Sequence, residues 1–529
     1  MNKIKILGWR DTLILAMLGL TISGGIAFFQ RSPGYMDADY YFAGGLQLAG
    51  GKGFSEPYLW NYLDDPVGLP HPSHAYWMPF ASIVAAMGMF LTGHMTWAAA
   101  RIGFLVIASL IPPVAYKLAY FITNQRELAI ISGLLATFSG FYSVFIPITD
   151  TFGIYLILGG LFFIIAHSHI KVRDFLLGLC AGLMHLSRAD GIIWLVISII
   201  VVLTIPTKNK RFSILSKRTV VGIIYCLIGY LFIMGAWFFR NELVFGSFLA
   251  PGGGKMLWLT SYNQIFSYPP GVITFNHWMK NGLEAALKIR LWAININLQN
   301  TLATQGNIIL LPLICIGIWD QRKNPVIQIA IVAWFINLIV MSIFFPFAGA
   351  RGGFFHSGAA FQLLWWSLAP LGLVILVRTI GAKRKWNIQK ASRVFLIGTV
   401  GITMILTGFI SVGKLYSPSS GWNYWSNEID LYRKVNALTI NTFSSNKPTV
   451  IVSNPPGFYL ASGWNAIAIP DGDEMTTLTV ARKFAASYLI LEEGAYPEGL
   501  NELFKNPDSN ANFKLIEKVE GVLVFEIIP

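Results

Sequence analysis

Residues 12–41 read TLILAMLGLTISGGIAFFQRSPGYMDADYY. Eighteen apolar or small residues, flanked upstream by Lys3, Lys5 and Arg10, give way to a short polar turn and then to two carboxylates, Asp37 and Asp39. A helix needs about 20 mostly apolar residues to cross a bilayer, so this opening predicts a membrane helix with an acidic pair at its exit. No small-residue cleavage site closes the apolar run, which reads as an uncleaved span. Working outward, further apolar segments lie at 76–93, 97–122, 128–146, 149–167, 174–188, 190–206, 219–239, 303–319, 325–346, 357–377 and 394–412. Residues 30–75 and 242–302 are long polar and aromatic stretches, and from 415 onward the chain reads as soluble.

Composition agrees. Hydrophobic residues make up 54% and charged residues 12% of 529, against roughly 25% charged in a soluble domain; mean hydropathy is +0.57. A soluble enzyme, a disordered chain and a nucleic-acid binder are excluded on this ground, despite a net charge of +13. The charge is also unevenly placed. Residues 415–529 hold 8 Lys and Arg against 13 Asp and Glu, leaving 31 against 13 for residues 1–414. Basic residues in short loops between apolar runs mark the cytoplasmic side of a membrane protein. Cys180, Cys226 and Cys315 each lie inside an apolar run, so neither a disulfide framework nor a zinc motif is indicated.

Orientation follows from the basic loops. Lys3, Lys5 and Arg10 place the N-terminus in the cytoplasm, with Lys208, Lys210, Arg211, Lys217 and Arg218, then Arg322 and Lys323, then Lys383, Arg384, Lys385, Lys390 and Arg393 on the same side. If every apolar segment crossed, the 208–218 loop would fall outside. Letting residues 76–122 cross once, with 76–93 interfacial or re-entrant, restores the parity and gives about eleven spans with the C-terminus outside. The fold expected is thus an α-helical polytopic membrane module, residues 1–414, followed by a small extracytoplasmic α/β domain, residues 415–529. The tail has short β-rich runs at 449–453, 466–469 and 487–491, helical patterns at 427–441 and 476–486, and a hairpin at 513–527 around Glu520-Gly521.

That topology gathers polar residues near the external face. Asp37 and Asp39 are candidates for a general base or, as carboxylates two apart, for a hard cation. His71 and His74 close the first loop and can bind a phosphate or join a metal site with the acids, the set being Asp37, Asp39 and His74. Asp150, Arg188 and Asp190 interrupt apolar segments, where each charge costs roughly 2.5–3.5 kcal/mol on insertion scales. They either pair with one another or serve a ligand. Arg351 and His356 flank a Gly-Gly turn and suit a phosphate. Lys255 follows Gly252-Gly253-Gly254, which can form an anion nest but lacks the spacing of a nucleotide loop. The structural alternatives are solvated loops, helix-locking ion pairs and a snorkelling Arg.

Taken in order, Asp37 and Asp39 after the first span, the HPSHAYWMPF stretch from His71, Thr149-Asp150 opening a helix and the Leu186–Gly191 turn resemble the GT-C polytopic glycosyltransferases. The likeness is to the group with the protein O-mannosyltransferases and the lipid A aminoarabinose transferase, and it covers most of residues 1–415. The resemblance implies transfer of a sugar from a polyprenyl-phosphate donor to a glycan, lipid or protein hydroxyl on the external face of the plasma membrane, with inversion. It implies a catalytic Asp at 37 or 39, and a divalent metal as the one cofactor to consider. Family members often carry an acidic residue and a Lys where this chain has His71 and His74. A transporter or flippase of a lipid-linked saccharide is the competing class, but such proteins show two similar halves, and this sequence has no internal repeat.

Overall fold

The computed structural model describes residues 8–205, 216–440 and 448–528. Lys3, Lys5, Lys208, Lys210 and Arg211, on which part of the orientation rests, lie outside the described residues. Among the described residues, six helices are long and apolar enough to span a bilayer: Trp9–Phe29, Trp97–Thr123, Lys217–Phe245, Pro325–Phe344, Pro346–Arg384 and Ile388–Tyr416. The protein is an integral membrane protein of mostly helical, polytopic architecture with a small C-terminal sheet domain.

The other apolar segments form shorter helices, because polar and glycine-rich punctuation ends each one early. Phe80–Thr92 has 13 residues, a rise of about 20 Å against a hydrocarbon core of about 30 Å. The 128–146 run stops at Thr137, where Ser139 and Gly140, with Gly140 at φ +58°, turn the chain. Residues 303–319 yield a regular helix only over Leu311–Asp320. Arg173–Ser187 and Ile192–Thr204 are separated by an extended Arg188, φ −151°.

Helix contacts are set by small residues. The helix Phe354–Arg384 is the most enclosed of the bundle, with a nearly continuous buried stretch from Phe354 to Pro370. Arg173–Ser187 and Lys217–Phe245 approach so closely that a Cβ on Gly178 would lie 1.8 Å from the Cys226 carbonyl oxygen, and one on Gly229 2.1 Å from that of Phe175. Without a hydrophobic drive between helices in lipid, such backbone-close van der Waals packing holds them together.

Outside the bundle, the helix Met36–Ala49 follows the first span and packs on Phe80–Thr92. In the tail, parallel strands Thr449–Val452, Asn465–Ala468 and Ala486–Glu492 alternate with helices Pro455–Ser462 and Glu474–Phe484, and the antiparallel hairpin Phe513–Val519/Val522–Ile527 completes the far side. The hairpin turn is Glu520-Gly521, both at positive φ (47° and 87°), which suits a two-residue hairpin loop. A sixth strand is not from the tail: Tyr58–Leu59 of the first loop pairs in parallel with Ala466–Ile467, and the Tyr62 hydroxyl donates to the Ala468 carbonyl. The loop and the tail therefore share one sheet.

Replacing Gly178 by Val drives a branched side chain into the Cys226 backbone. A loss of roughly 1–3 kcal/mol or more is expected, read as a lower thermal midpoint in detergent, while Gly235→Ala, at a position open to space, leaves the midpoint unchanged.

Candidate active site

The helix Met36–Ala49 begins at Tyr35, whose extended backbone follows Pro33 and a Gly34 at φ +125°. Its first turn carries both acids, a favourable place for negative charge at a helix N-terminus. Residues two apart on a helix point in nearly opposite directions at 3.6 residues per turn. Asp37 accordingly lines a cavity of about 430 Å³ at the edge of the bundle. Asp39 is fully buried on the other side, where its Oδ2 accepts from the Asn454 amide of the tail at 3.1 Å.

Three more segments bring charge to the same cavity. The chain break between Ser187 and Ile192 puts Arg188 and Asp190 on the wall; Arg188 Nε donates to Asp190 Oδ1 at 2.9 Å, and its Nη2 reaches the Gly353 carbonyl at 3.4 Å. The break at Gly352, φ +116°, splits the helical path before Phe354 and exposes Arg351, whose guanidinium lies 4.0 Å from the centre of the Tyr262 ring. His356, one turn on, stacks on Phe152 at 3.8 Å, with Nδ1 2.9 Å from the Gly352 carbonyl and Nε2 3.2 Å from Asp150 Oδ2. Both ring nitrogens thus face acceptor oxygens.

Asp150 sits just behind the wall. Its Oδ1 accepts from the backbone N–H and hydroxyl of Thr151, and its Oδ2 from the Tyr35 hydroxyl. Thr149 Oγ1 donates to the Ala38 carbonyl at 2.8 Å. These bonds tie the turn before the helix Phe152–His167 to the first turn of Met36–Ala49. Burial, and then the facing Asp150 carboxylate, push Asp37 up to about 7. The remaining wall is apolar, with a marked aromatic part: Trp60 and Trp77 stack at 4.0 Å and 12°, beside Tyr76, Trp237 and Tyr262.

Of the sequence candidates, Asp37, Arg188, Asp190, Arg351 and His356 line one cavity, with Asp150 in contact through His356. Asp39, His71, His74 and Lys255 do not line it. His71 is enclosed by the first loop's own acids, Nε2 3.0 Å from Asp64 and Nδ1 3.7 Å from Glu56. The His74 ring is held between the Ser73 hydroxyl at 2.7 Å and the Ser82 hydroxyl at 3.1 Å, and burial pushes it down to about 3. Lys255 is half-buried in the second loop, in the field of Asp65 and Asp64. The proposed metal set Asp37, Asp39 and His74 needs correction: the first two diverge along their helix, and His74 is spent on serines. The group that comes together instead is Asp37, Asp150 and His356, with one ligand atom from each within 4.8 Å of the others. Two carboxylates and an imidazole are a donor set that fits a divalent cation. Tyr35, Trp60 and Trp77, which hold or shape the site, were not singled out from the sequence; the density of aromatics in the loops was the available signal.

The chain superposes on ArnT from Cupriavidus metallidurans in the apo state with a TM-score of 0.56, at 12% identity and over 98% of each chain. It superposes on the archaeal oligosaccharyltransferase AglB from Archaeoglobus fulgidus, in complex with an inhibitory peptide and a dolichol-phosphate, with a TM-score of 0.50, at 12% identity, over 90% of this chain and 69% of that one. The fold is the GT-C fold of these proteins. No protein-family model and no curated protein sequence matches the chain.

His71 makes a pH test of the first loop. Burial alone lowers its basicity, but hydrogen bonds and charge from Asp64 and Glu56 outweigh this and push it up to about 9 from 6.5. A raised imidazole contributes stability in full below pH 6.5 and loses it as pH passes about 9. Fluorescence melts should show the thermal midpoint falling from pH 6.5 to 9.5, with a clearly shallower fall in His71→Gln.

Proposed function

We propose that the protein is a membrane glycosyltransferase that moves a sugar from a polyprenyl-phosphate carrier to an acceptor hydroxyl on the extracytoplasmic face. The observation that carries this reading is the meeting of Asp37, Arg188, Arg351 and His356 in one cavity, with Asp150 behind His356. They come from segments more than three hundred residues apart, on a fold shared with ArnT. A cluster of acids and guanidinium groups beside apolar helix ends matches a substrate whose charged head enters the protein while its chain stays in lipid. The AglB complex, which contains a dolichol-phosphate and an inhibitory peptide, supports a lipid phosphate as a ligand of such a fold.

In this reading Asp37 is the general base. Its carboxylate takes the acceptor hydroxyl proton as that oxygen forms a bond to the anomeric carbon, and the bond from that carbon to the phosphate oxygen breaks, with inversion. Arg351 and Arg188 stabilise the charge that gathers on the leaving phosphate. Arg351 stacks on Tyr262 within reach of a phosphate in the cavity; Arg188 donates through Nε to Asp190 and through Nη2 to the Gly353 carbonyl, which leaves Nη1 for the ligand. The stacked Trp60 and Trp77 offer a flat apolar wall to the carbon face of a sugar ring. Asp37, Asp150 and His356 would hold a divalent cation, which supplies further positive charge for the phosphate when bound. The proposed arrangement has the N-terminus in the cytoplasm and the tail outside, in the plasma membrane.

The test is turnover of radiolabelled polyprenyl-phosphate sugars by the purified protein with a panel of hydroxyl acceptors. Asp37→Asn should lower kcat roughly 10²–10⁴-fold, the usual worth of a positioned base. Arg351→Gln should lower it by roughly 10²-fold. Wild-type rates in Asp37→Asn would end the general-base assignment. For the cation, chelation followed by Mn²⁺ add-back should remove and restore activity; full activity in chelator excludes it.

A further inference from the structure

The buried side of the helix Met36–Ala49 meets an acidic network that catalysis leaves unused. Asn454, at the carboxyl end of the strand Thr449–Val452, directs its side chain three ways. Its Nδ2 donates to Asp39 Oδ2 at 3.1 Å and to Glu428 Oε1 at 3.2 Å, and its Oδ1 accepts from the Gly457 N–H at 3.1 Å, capping the helix Pro455–Ser462. Asp39 reaches the start of that helix closely enough that a Cβ on Gly457 would lie 2.9 Å from its Oδ2. Here the helix end offers positive potential to the Asp39 carboxyl, whose titration burial pushes well above the usual carboxylate range. Behind Asn454, Tyr432 Oη stands 2.6 Å from Glu492 Oε1, 3.1 Å from Glu428 Oε1 and 3.3 Å from Ser453 Oγ, and Ser453 Oγ also meets Glu492 Oε1.

The donor count is informative. Tyr432 and Ser453 bring one hydroxyl hydrogen each to four oxygen–oxygen contacts. With both pointing at Glu492, the Tyr432–Glu428 contact needs a hydrogen from Glu428; with Tyr432 pointing at Glu428, its contact to Glu492 needs one from Glu492, so in either arrangement the two carboxyl groups hold a proton between them. The groups facing the pair from each packed element are Tyr424 and Tyr432 on the Trp422–Ile440 helix, Ser453 and Asn454 after their strand, and Asp39 across the interface. No Lys, Arg or His forms an ion pair with Glu428 or Glu492 among the described residues. Burial and the Glu492 charge push Glu428 up to about 7, in keeping with a retained proton.

We infer that Asn454, backed by a protonated Glu428–Glu492 pair, is a positioning residue for Asp37: the tail domain clamps the first turn of its helix through Asp39. This rests on Asp37 acting as the base. In this turn the Asp39 N–H donates to the Tyr35 carbonyl at 3.1 Å. Holding Asp39 from outside fixes the direction in which Asp37 enters the cavity. Loss of the Glu428 proton sets two buried carboxylates against one another beside Asn454 and loosens the grip. The clamp therefore weakens as pH rises above neutrality.

The experiment uses full-length protein in nanodiscs, with hydrogen–deuterium exchange of the peptide covering residues 36–42, corrected for intrinsic rates, at pH 6.5 and 8.5. Asn454→Ala should raise exchange there roughly fivefold at both values, with the peptide covering 354–370 unaffected. Wild type should lose protection between the two values, and Glu428→Gln, whose amide imitates the protonated acid, should not. With a turned-over donor, Asn454→Ala should lower kcat roughly tenfold and leave donor KM within about twofold. Unaltered exchange in Asn454→Ala overturns the clamp. A pH-dependent loss that persists in Glu428→Gln overturns the role of the proton, and an unaltered kcat overturns positioning. If wild type moves sugar from no polyprenyl-phosphate donor, the proposed activity falls, while the exchange data still decide the clamp.

Discussion

Two carboxylates two positions apart on one helical turn cannot face the same way. That constraint divides the Met36–Ala49 helix between two neighbours, with Asp37 turned into a cavity among membrane helices and Asp39 into the tail. The remaining site geometry is built around that division. Thr149 and Tyr35 tie the helix to the turn that presents Asp150, and His356 links that turn to the broken helix carrying Arg351. A single short helix is thereby held from the bundle on one face and from a soluble domain on the other.

The charges are tolerated because the two helix breaks that carry them also supply neighbours for them, Asp190 and the Gly353 carbonyl for Arg188 and the Tyr262 ring for Arg351. Arg188 stands where two short helices part and Arg351 where Gly352 interrupts a longer path. Irregular backbone at such depth survives only when it is enclosed by protein or borders water, and both breaks border the cavity. Local helix failure and the collection of polar side chains are here one event. The same glycines and polar residues that shorten the helices also open space between them.

Much of this was legible in the sequence. Apolar run length located the long spans, the cost of charge inside apolar runs drew attention to Asp150, Arg188 and Asp190, and Arg351 stood out beside its Gly-Gly turn. The tail strands stood out as short β-rich runs at 449–453, 466–469 and 487–491, against observed strands at 449–452, 465–468 and 486–492. Other features were hidden for physical reasons. The pairing of Asp37 with Asp150 and His356 depends on how three distant segments pack, which no local spacing records. His71 and His74 looked like ligands by residue type, yet their ring nitrogens meet Asp64 and Glu56 of the first loop, Ser73 beside them and Ser82 on the helix Phe80–Thr92. Asp39 matched Asp37 in type and spacing, and only the helical rotation between them separates their roles. Tyr58–Leu59, two residues long, has no period from which a strand can be recognised.

That two-residue strand bears on how the molecule is made. Its partner, Ala466–Ile467, is about four hundred residues later in the chain, so at roughly 5–20 residues per second of synthesis the ribosome delivers it some 20–80 s after Tyr58. Throughout that interval the nascent first loop has an uncapped row of backbone donors and acceptors and a helix lacking its outer support. Assembly on this plan closes last at the joint where the loop and the tail meet, so a chain interrupted before its end has its bundle but not a finished mouth.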